Sequence, residues 1–368
     1  MRVTYRLHEL TTGRPLSIPV HAPGRWSDSL SQGGTGRHDI VIPTVSAFTP
    51  DQWHASTLQW WHVIVEYWDG VPAYAGIIVD KHWSPRRQTL SCDTRTVAAL
   101  LKDRFPFGIG SFFSTTFGVS SVSLRAAVSA VVARVAGDIS VAPPQSWALP
   151  FDFPHLGEAG SFTRQFENED WRTADEIIST IQKLPAGPDL AFIPKVGGNG
   201  WLRWDVLAGD PLIPGPTVDL PLSVRTSPAS DVVMHEYGKD MISGLFVRGE
   251  GLDDRRPFGE AGSFAGPPMA VRDVAKHEVG EDLDLDGMAA AGLAKNRSPI
   301  EQFEIGALRV GDGPGAVPAS SVRLGARFNA RYSGDGYMNA FSEETLYVTG
   351  MSHTSSRPDF VAPEVMNV

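Results

Sequence analysis

The stretch Trp61-His62-Val63-Ile64-Val65-Glu66-Tyr67-Trp68 runs into Asp69-Gly70 and is answered by Ala73-Tyr74-Ala75-Gly76-Ile77-Ile78-Val79. β-Branched and aromatic side chains fill both arms, and such residues suit a pleated, half-buried surface. Asp-Gly accepts the positive φ angles that a two-residue hairpin turn demands, so the stretch reads as two antiparallel strands.

Towards the N-terminus the same texture continues. Val3, Tyr5 and Leu7 alternate with polar neighbours, as do Leu16, Ile18 and Val20, and a turn at Gly33-Gly34-Thr35-Gly36 leads into Asp39-Ile40-Val41-Ile42-Pro43. Short strands at this spacing predict a small barrel or sandwich over residues 1–95. The chain has 368 residues, which implies about two or three domains. Its 37 Gly and 28 Pro punctuate apolar runs throughout, the pattern of many strands joined by turns.

Beyond the hairpin the period changes. Thr96 to Arg104 has a short helical pattern, and Ser123 to Ala136 sets Leu124, Val128, Val131 and Val135 on one helical face. Pro143 to Pro154 is a Pro- and aromatic-rich connection. Thr173-Ala174-Asp175-Glu176 is a capping box, opening a helix with Ile177, Ile178, Ile181 and Leu184 inward. Leu190 to Ile193, a turn at Gly197-Gly198-Asn199-Gly200, and Trp201 to Leu207 follow. Residues 96–210 therefore read as an inserted α/β domain, a helix laid on a hairpin.

From Pro211 the chain returns to strands. Ser230 to Tyr237 and Ile242 to Arg248 read as a pair around Gly238-Lys239-Asp240. Residues 249–280, with Pro257, Pro267, Pro268 and several glycines, read as a long loop arm. A helix over 283–295 precedes strands at Ile300 to Val310, Ser321 to Tyr332 and Glu344 to Ser352, and the last dozen residues read as a tail. The hexapeptide Gly-Glu-Ala-Gly-Ser-Phe occurs at 157–162 and again at 259–264 with unlike flanks, so it reads as coincidence or as two similar surface turns rather than a repeat.

Composition narrows function by exclusion. A net charge of −10 disfavours gripping nucleic acid or anionic lipid, and no basic run exceeds a pair such as Arg86-Arg87 or Arg255-Arg256. Cys92 stands alone, so there is no internal disulfide and no CxxC site; it reads as a small buried side chain. The N-terminus lacks the apolar core of a signal peptide, and no run is long enough for a membrane-spanning helix.

Motifs for catalysis and ligand binding are equally thin. Asp282-Leu283-Asp284-Leu285-Asp286-Gly287 fits the first half of a calcium loop, but the twelfth position is Leu293, where a bidentate carboxylate is required. The acids suit a helix start instead. The ten histidines lack zinc spacing, and no phosphate loop or Gly-x-Ser-x-Gly elbow occurs. Carboxylate pairs such as Glu167 with Glu169 and Glu343 with Glu344 read as solvated faces. We therefore expect no catalytic, cofactor-binding or metal residue, no cofactor and no enzymatic activity. Trp53, Trp60, Trp61, Trp68 and Trp83 gather in the first domain, where a barrel would bury them and a groove would offer them to sugars.

The order of these features resembles siphophage tail-tip hub proteins, the baseplate-hub-like minor tail proteins of actinobacterial phages. The resemblance rests on the strand through Leu7, the Gly13-Arg14-Pro15 turn and the strand to Val20. It continues in Gly24-Arg25-Trp26-Ser27-Asp28-Ser29-Leu30 leading to Ile40–Pro43, and in Trp68-Asp69-Gly70 followed by Tyr74-Ala75-Gly76-Ile77-Ile78. The capped helix at Thr173 with the hairpin to Trp204 is similar to the family's inserted domain, and the helix over 283–295 with its following strands is similar to the last barrel.

What the resemblance implies is a mainly β protein with two barrel-like domains, 1–95 and 211–368, around the insert. It further implies a homotrimeric ring in the virion that joins the tail tube and distal tail ring to the tip and forms part of the DNA exit channel during genome ejection. The partners would be other copies of the chain, the distal tail protein, the tube or tape-measure protein and other tip proteins. DNA would pass without being specifically bound, through a lining expected from net charge to be neutral or acidic. Synthesis is expected in the host cytoplasm, and the family's C-terminal lysin is expected to be missing. A carbohydrate- or receptor-binding tail module is the first alternative, favoured by tryptophans exposed in a groove. A cell-wall hydrolase is the second, favoured by converging carboxylates in a deep pocket.

Overall fold

A computed structural model of the chain describes residues 1–107, 116–136, 148–168, 171–222, 227–239, 241–249, 257–262, 271–274, 284–297, 300–332 and 343–368. The first strands are β1 (Val3–Glu9), β2 (Gly24–Ser29), β3 (Thr35–Val41), β4 (His62–Trp68), β5 (Val71–Ser84) and β6 (Thr89–Arg95). Helix α1 (Pro50–Ser56) lies between β3 and β4. The Asp-Gly hairpin forms as read, with φ of 49° at Asp69 and 90° at Gly70. Every residue of β4 is buried because its two faces serve different cores. Val63, Val65 and Tyr67 enter one, Ile64 a second, and Trp68 a third.

The insert carries β7 (Phe117–Val122), α2 (Leu124–Val135), β8 (Phe151–Asp152), β9 (Phe162–Phe166), α3 (Ala174–Gln182), β10 (Leu190–Val196) and β11 (Leu202–Ala208). The Thr173 capping box forms, with Thr173 Oγ1 accepting from the Glu176 N–H at 3.3 Å and Glu176 Oε2 accepting from the Thr173 N–H at 2.8 Å. Ile177, Ile178 and Ile181 pack with α2 and the β10–β11 hairpin in a core that also takes in Val63, Val65 and Ile77. Gly13 docks the insert on the first strands. Its carbonyl accepts from the Leu202 N–H at 2.8 Å, its φ is +75°, and a Cβ there would fall 1.9 Å from the Leu202 carbonyl oxygen.

The remaining strands are β12 (Thr217–Pro221), β13 (Ala229–Tyr237), β14 (Gly244–Arg248), β15 (Phe258–Gly262), β16 (Val271–Val274), β17 (Ile300–Arg309), β18 (Arg327–Arg331), β19 (Glu343–Thr354) and β20 (Phe360–Asn367), with α4 (Leu285–Asn296) before β17. The fold is mainly β, and among the described residues the largest sheet has 12 strands in the order β1-β4-β5-β6-β3-β2-β19-β20-β17-β13, with β18 attached at β19 and β12 at β18. The two strand-rich regions share one plan. In each, the first half of a long strand, β5 or β19, pairs with a strand that itself pairs with one more, β4-β1 or β18-β12, and the long strand heads a run of three, β6-β3-β2 or β20-β17-β13.

The structure departs from the sequence expectations at four places. Ser230–Tyr237 and Ile242–Arg248 do not pair: β13 pairs with β17, while β14 lies between β15 and β16. The arm expected over 249–280 contains β15 and β16, which with α4 enclose their own core of Ile242, Leu245, Val247, Met288, Ala289 and Leu293. The rest of that segment lies outside the described residues. The tail is a strand, β20, set between β19 and β17, because Val361 and Val365 alternate inward and are buried. The strand expected through Leu16, Ile18 and Val20 does not form; the stretch makes only isolated bridges, Pro15 with His8 and Val20 with Tyr5.

Candidate assembly face

The two strand-rich regions meet where β2 pairs antiparallel with β19, Trp26 opposite His353 and Arg25 opposite Thr354. Inside this seam sits a buried acid–base pair that the sequence reading passed over. Glu66 Oε1 lies 2.9 Å from His353 Nδ1, out of line for a straight hydrogen bond, and both side chains are fully excluded from solvent. The Trp68 indole N–H donates to Glu66 Oε1 at 2.6 Å, and His353 Nε2 lies 3.3 Å from the Pro358 carbonyl. Burial alone would push the Glu66 carboxyl up; His353 first, then the Trp68 indole, outweigh it and hold the carboxyl below its ordinary value. Aromatic rings pack round the pair, with Trp26 stacked on Tyr74 at 4.9 Å and the Trp68 and His353 rings edge to face at 5.2 Å. A charge inside the otherwise apolar run Val63–Trp68 was the available signal.

The opposite face of the same strands is open to solvent. Alternation puts Arg25 and Ser27 of β2, Thr35, Arg37 and Asp39 of β3, Asp93 and Arg95 of β6, and Ser352 and Thr354 of β19 outward. All of these but Asp39 border a cleft of about 800 Å³ that continues to Arg357 and Asp80. Register carries this face onto β20 and β17, where Ala362 stands opposite Ser352, Glu364 opposite Gly350, and Glu304 opposite Glu364. The run β5-β6-β3-β2-β19-β20-β17-β13 therefore has one continuous and mostly polar face, with Asp80 of β5 opposite Asp93 at one end and Val233 of β13 opposite Glu304 at the other, and with Val41 and Val233 as exposed apolar members. Its ends are free among the described residues: β13 pairs only with β17, and Lys81–Ser84 of β5 pair only with β6.

Comparison with known proteins bears on the fold alone. No family model matches the chain, and no curated protein sequence matches it. Among solved structures, the 43 kDa tail protein of prophage MuSo2 from Shewanella oneidensis is similar over 99% of this chain and 98% of its own, with a TM-score of 0.57 at 12% identity. A tail protein from Neisseria meningitidis MC58 is similar over 100% of this chain and 96% of its own, with a TM-score of 0.54 at 14% identity. The fold is that of a phage tail protein.

Within this tail-protein fold the residues singled out from sequence fall as follows. Cys92 is fully buried, and burial pushes its thiol up to about 12. Trp53 and Trp68 are core residues, whereas Trp60, Trp61 and Trp83 are 42%, 57% and 39% exposed. Trp83, Phe48 and Trp53 line a groove of about 740 Å³ beside α1, with His54, Lys81 and Gln88 among its polar groups. Asp284 caps α4, its carboxylate accepting from the Gly287 N–H at 2.8 Å, and Asp286 accepts from the Glu260 N–H at 2.9 Å. Leu293 is buried in the α4 core, while Asp282 lies outside the described residues. Glu343 and Glu344 stand on β19 opposite Arg331 and Ala330; Glu167 is exposed and accepts from the Gln165 side-chain amide at 2.8 Å, and Glu169 lies outside the described residues. Arg86 and Arg87 occupy the exposed β5–β6 turn, and Arg255 and Arg256 lie outside the described residues. Among the described residues no helix is long and apolar enough to cross a membrane.

Proposed function

We propose that the chain is a non-enzymatic structural component of a phage tail tip, of the hub kind, and that it resides in the virion. In this reading residues 1–95 and 211–368 are the two barrel-like units, 96–210 the insert, and the polar face of the eight-strand run is part of the wall of the DNA exit channel. The observation that carries the reading is the β2–β19 joint, which links two like-planned units edge to edge and leaves an equivalent edge free at each end. Repeated between copies, the same joint sets β13 of one copy beside the second half of β5 in the next and closes a ring. Unpaired edges as long as β13, with 9 residues, invite pairing and are otherwise blunted. The ring is a homotrimer in this reading, and it contacts the distal tail protein and the tube or tape-measure protein. Cryo-EM of the assembled tail tip tests it: the expected map has three copies with β13 against β5, and a single copy, or copies joined elsewhere, overturns it.

The groove beside α1 supports a second reading, a carbohydrate-binding tail module, since Trp83 offers a partly exposed ring next to hydrogen-bonding side chains. Binding of host cell-wall glycan that is lost in Trp83→Ala selects it.

A further inference from the structure

We infer that the basic sector of the polar face is a contact site for the phosphate backbone of duplex DNA, weak, salt-labile and blind to sequence. The inference rests on the reading of that face as a channel wall. Its starting point is an energetic anomaly. Arg25 and Arg37 are direct cross-strand partners, and like charges so placed repel. Arg95 lies diagonal to Arg37, being paired with Thr35 on the same strand. Asp93 stands directly opposite Arg37, yet the side chains of Arg25, Arg37 and Arg95 form no ion pair and no hydrogen bond among the described residues. Arg357 joins them from the β19–β20 turn, its guanidinium 4.8 Å from the Phe360 ring centroid. Four exposed guanidinium groups thus converge on one cleft of a chain whose net charge is −10.

The companions of these arginines indicate what neutralises them. Protein interfaces gather aromatic anchors and exclude charge from their centres. Here the outward neighbours are Ser27, Thr35, Ser352 and Thr354, small hydroxyls that donate to phosphate oxygens as arginine does. Asp80 and Asp93 border the same cleft, and Glu364 and Glu304 occupy the face farther along, so the basic groups form a sector and not a closed belt. Contacts of this kind guide a duplex without holding it, because each is a counterion exchange that physiological salt opposes. The channel lining expected from net charge to be neutral or acidic is, on this view, divided into basic and acidic sectors.

The test is fluorescence anisotropy of a labelled 30-base-pair duplex with the whole chain, between 20 and 200 mM NaCl (roughly the range over which phosphate contacts lose their affinity). Binding is expected at low salt, equal for unrelated sequences, and lost as salt rises. Arg25→Gln with Arg37→Gln should lower the log–log salt slope by about 2, one per phosphate contact removed. Arg86→Gln with Arg87→Gln, on the exposed β5–β6 turn, should leave it unchanged. Thermal melts should show neither variant less stable than the parent, since these side chains are exposed and the Arg25–Arg37 repulsion is relieved in the first. Absent binding at 20 mM salt, equal loss in both variants, or equally tight binding of poly-glutamate overturns the inference, the last by assigning the sector to acidic protein. Cryo-EM of the tail tip separates the two levels. A ring with these arginines inward but without duplex binding defeats the phosphate contact alone, whereas arginine-dependent binding by a chain that forms no ring defeats the channel reading.

Discussion

Glu66 and His353 come from opposite ends of the sequence and meet at 2.9 Å in the centre of the seam. Removing His353 leaves the buried Glu66 carboxylate without its partner, at a cost of about 3–5 kcal/mol, whereas replacing both with apolar groups of similar volume is close to neutral. We expect His353→Leu to lower the unfolding midpoint in denaturant sharply and Glu66→Leu with His353→Leu to recover most of the loss. Equal destabilisation by the single and double variants would contradict this. The pH dependence has a definite sign. The folded-state carboxyl of Glu66 is held below its unfolded value, so its contribution is present above the unfolded carboxylate range and disappears as pH falls through the folded pKa. The sequence showed Glu66 as one charge in an apolar run; it could not show His353 as its partner, because the two are distant until β2 and β19 pair.

Local order announced itself where a single element contains its own reasons. The Thr173–Glu176 box satisfies two backbone donors of α3 with side chains three residues apart, and it was readable for that reason. Thr173→Ala should cost about 1 kcal/mol, read as a lowered melting temperature, while an exposed change such as Asp175→Asn should cost much less. The Thr49–Gln52 box of α1 obeys the same rule, but its helix, Pro50–Ser56, is too short for a helical period to appear. Failures came where an element depends on distant partners. β13 and β14 follow one another with a turn between, the pattern of a hairpin, yet β13 finds a better partner in β17, matched over Ala229–Tyr237.

At the scale of the whole molecule, stability should be uneven. The core of α4 and the β15-β14-β16 sheet is enclosed by six buried side chains, against the extended cores beneath the 12-stranded sheet. Small apolar burial means a low free energy of local opening. Hydrogen exchange should therefore release the amides of α4 and β14 well before those of β4 and β5, and uniform protection would show that the small unit is bound into the main cores. What the sequence determined by itself was the kind of local structure: strand alternation, the Asp-Gly turn, the capped helix and the preponderance of β. These depend on neighbours within a few residues, whose steric and hydrogen-bonding preferences act before any fold exists. Only the tertiary structure decided that the last strand lies between β19 and β17, that both strand-rich regions share one sheet, and that Arg25, Arg37, Arg95 and Arg357 converge. Strand partners are selected by the burial of whole faces, a property of the assembled chain that no local window contains.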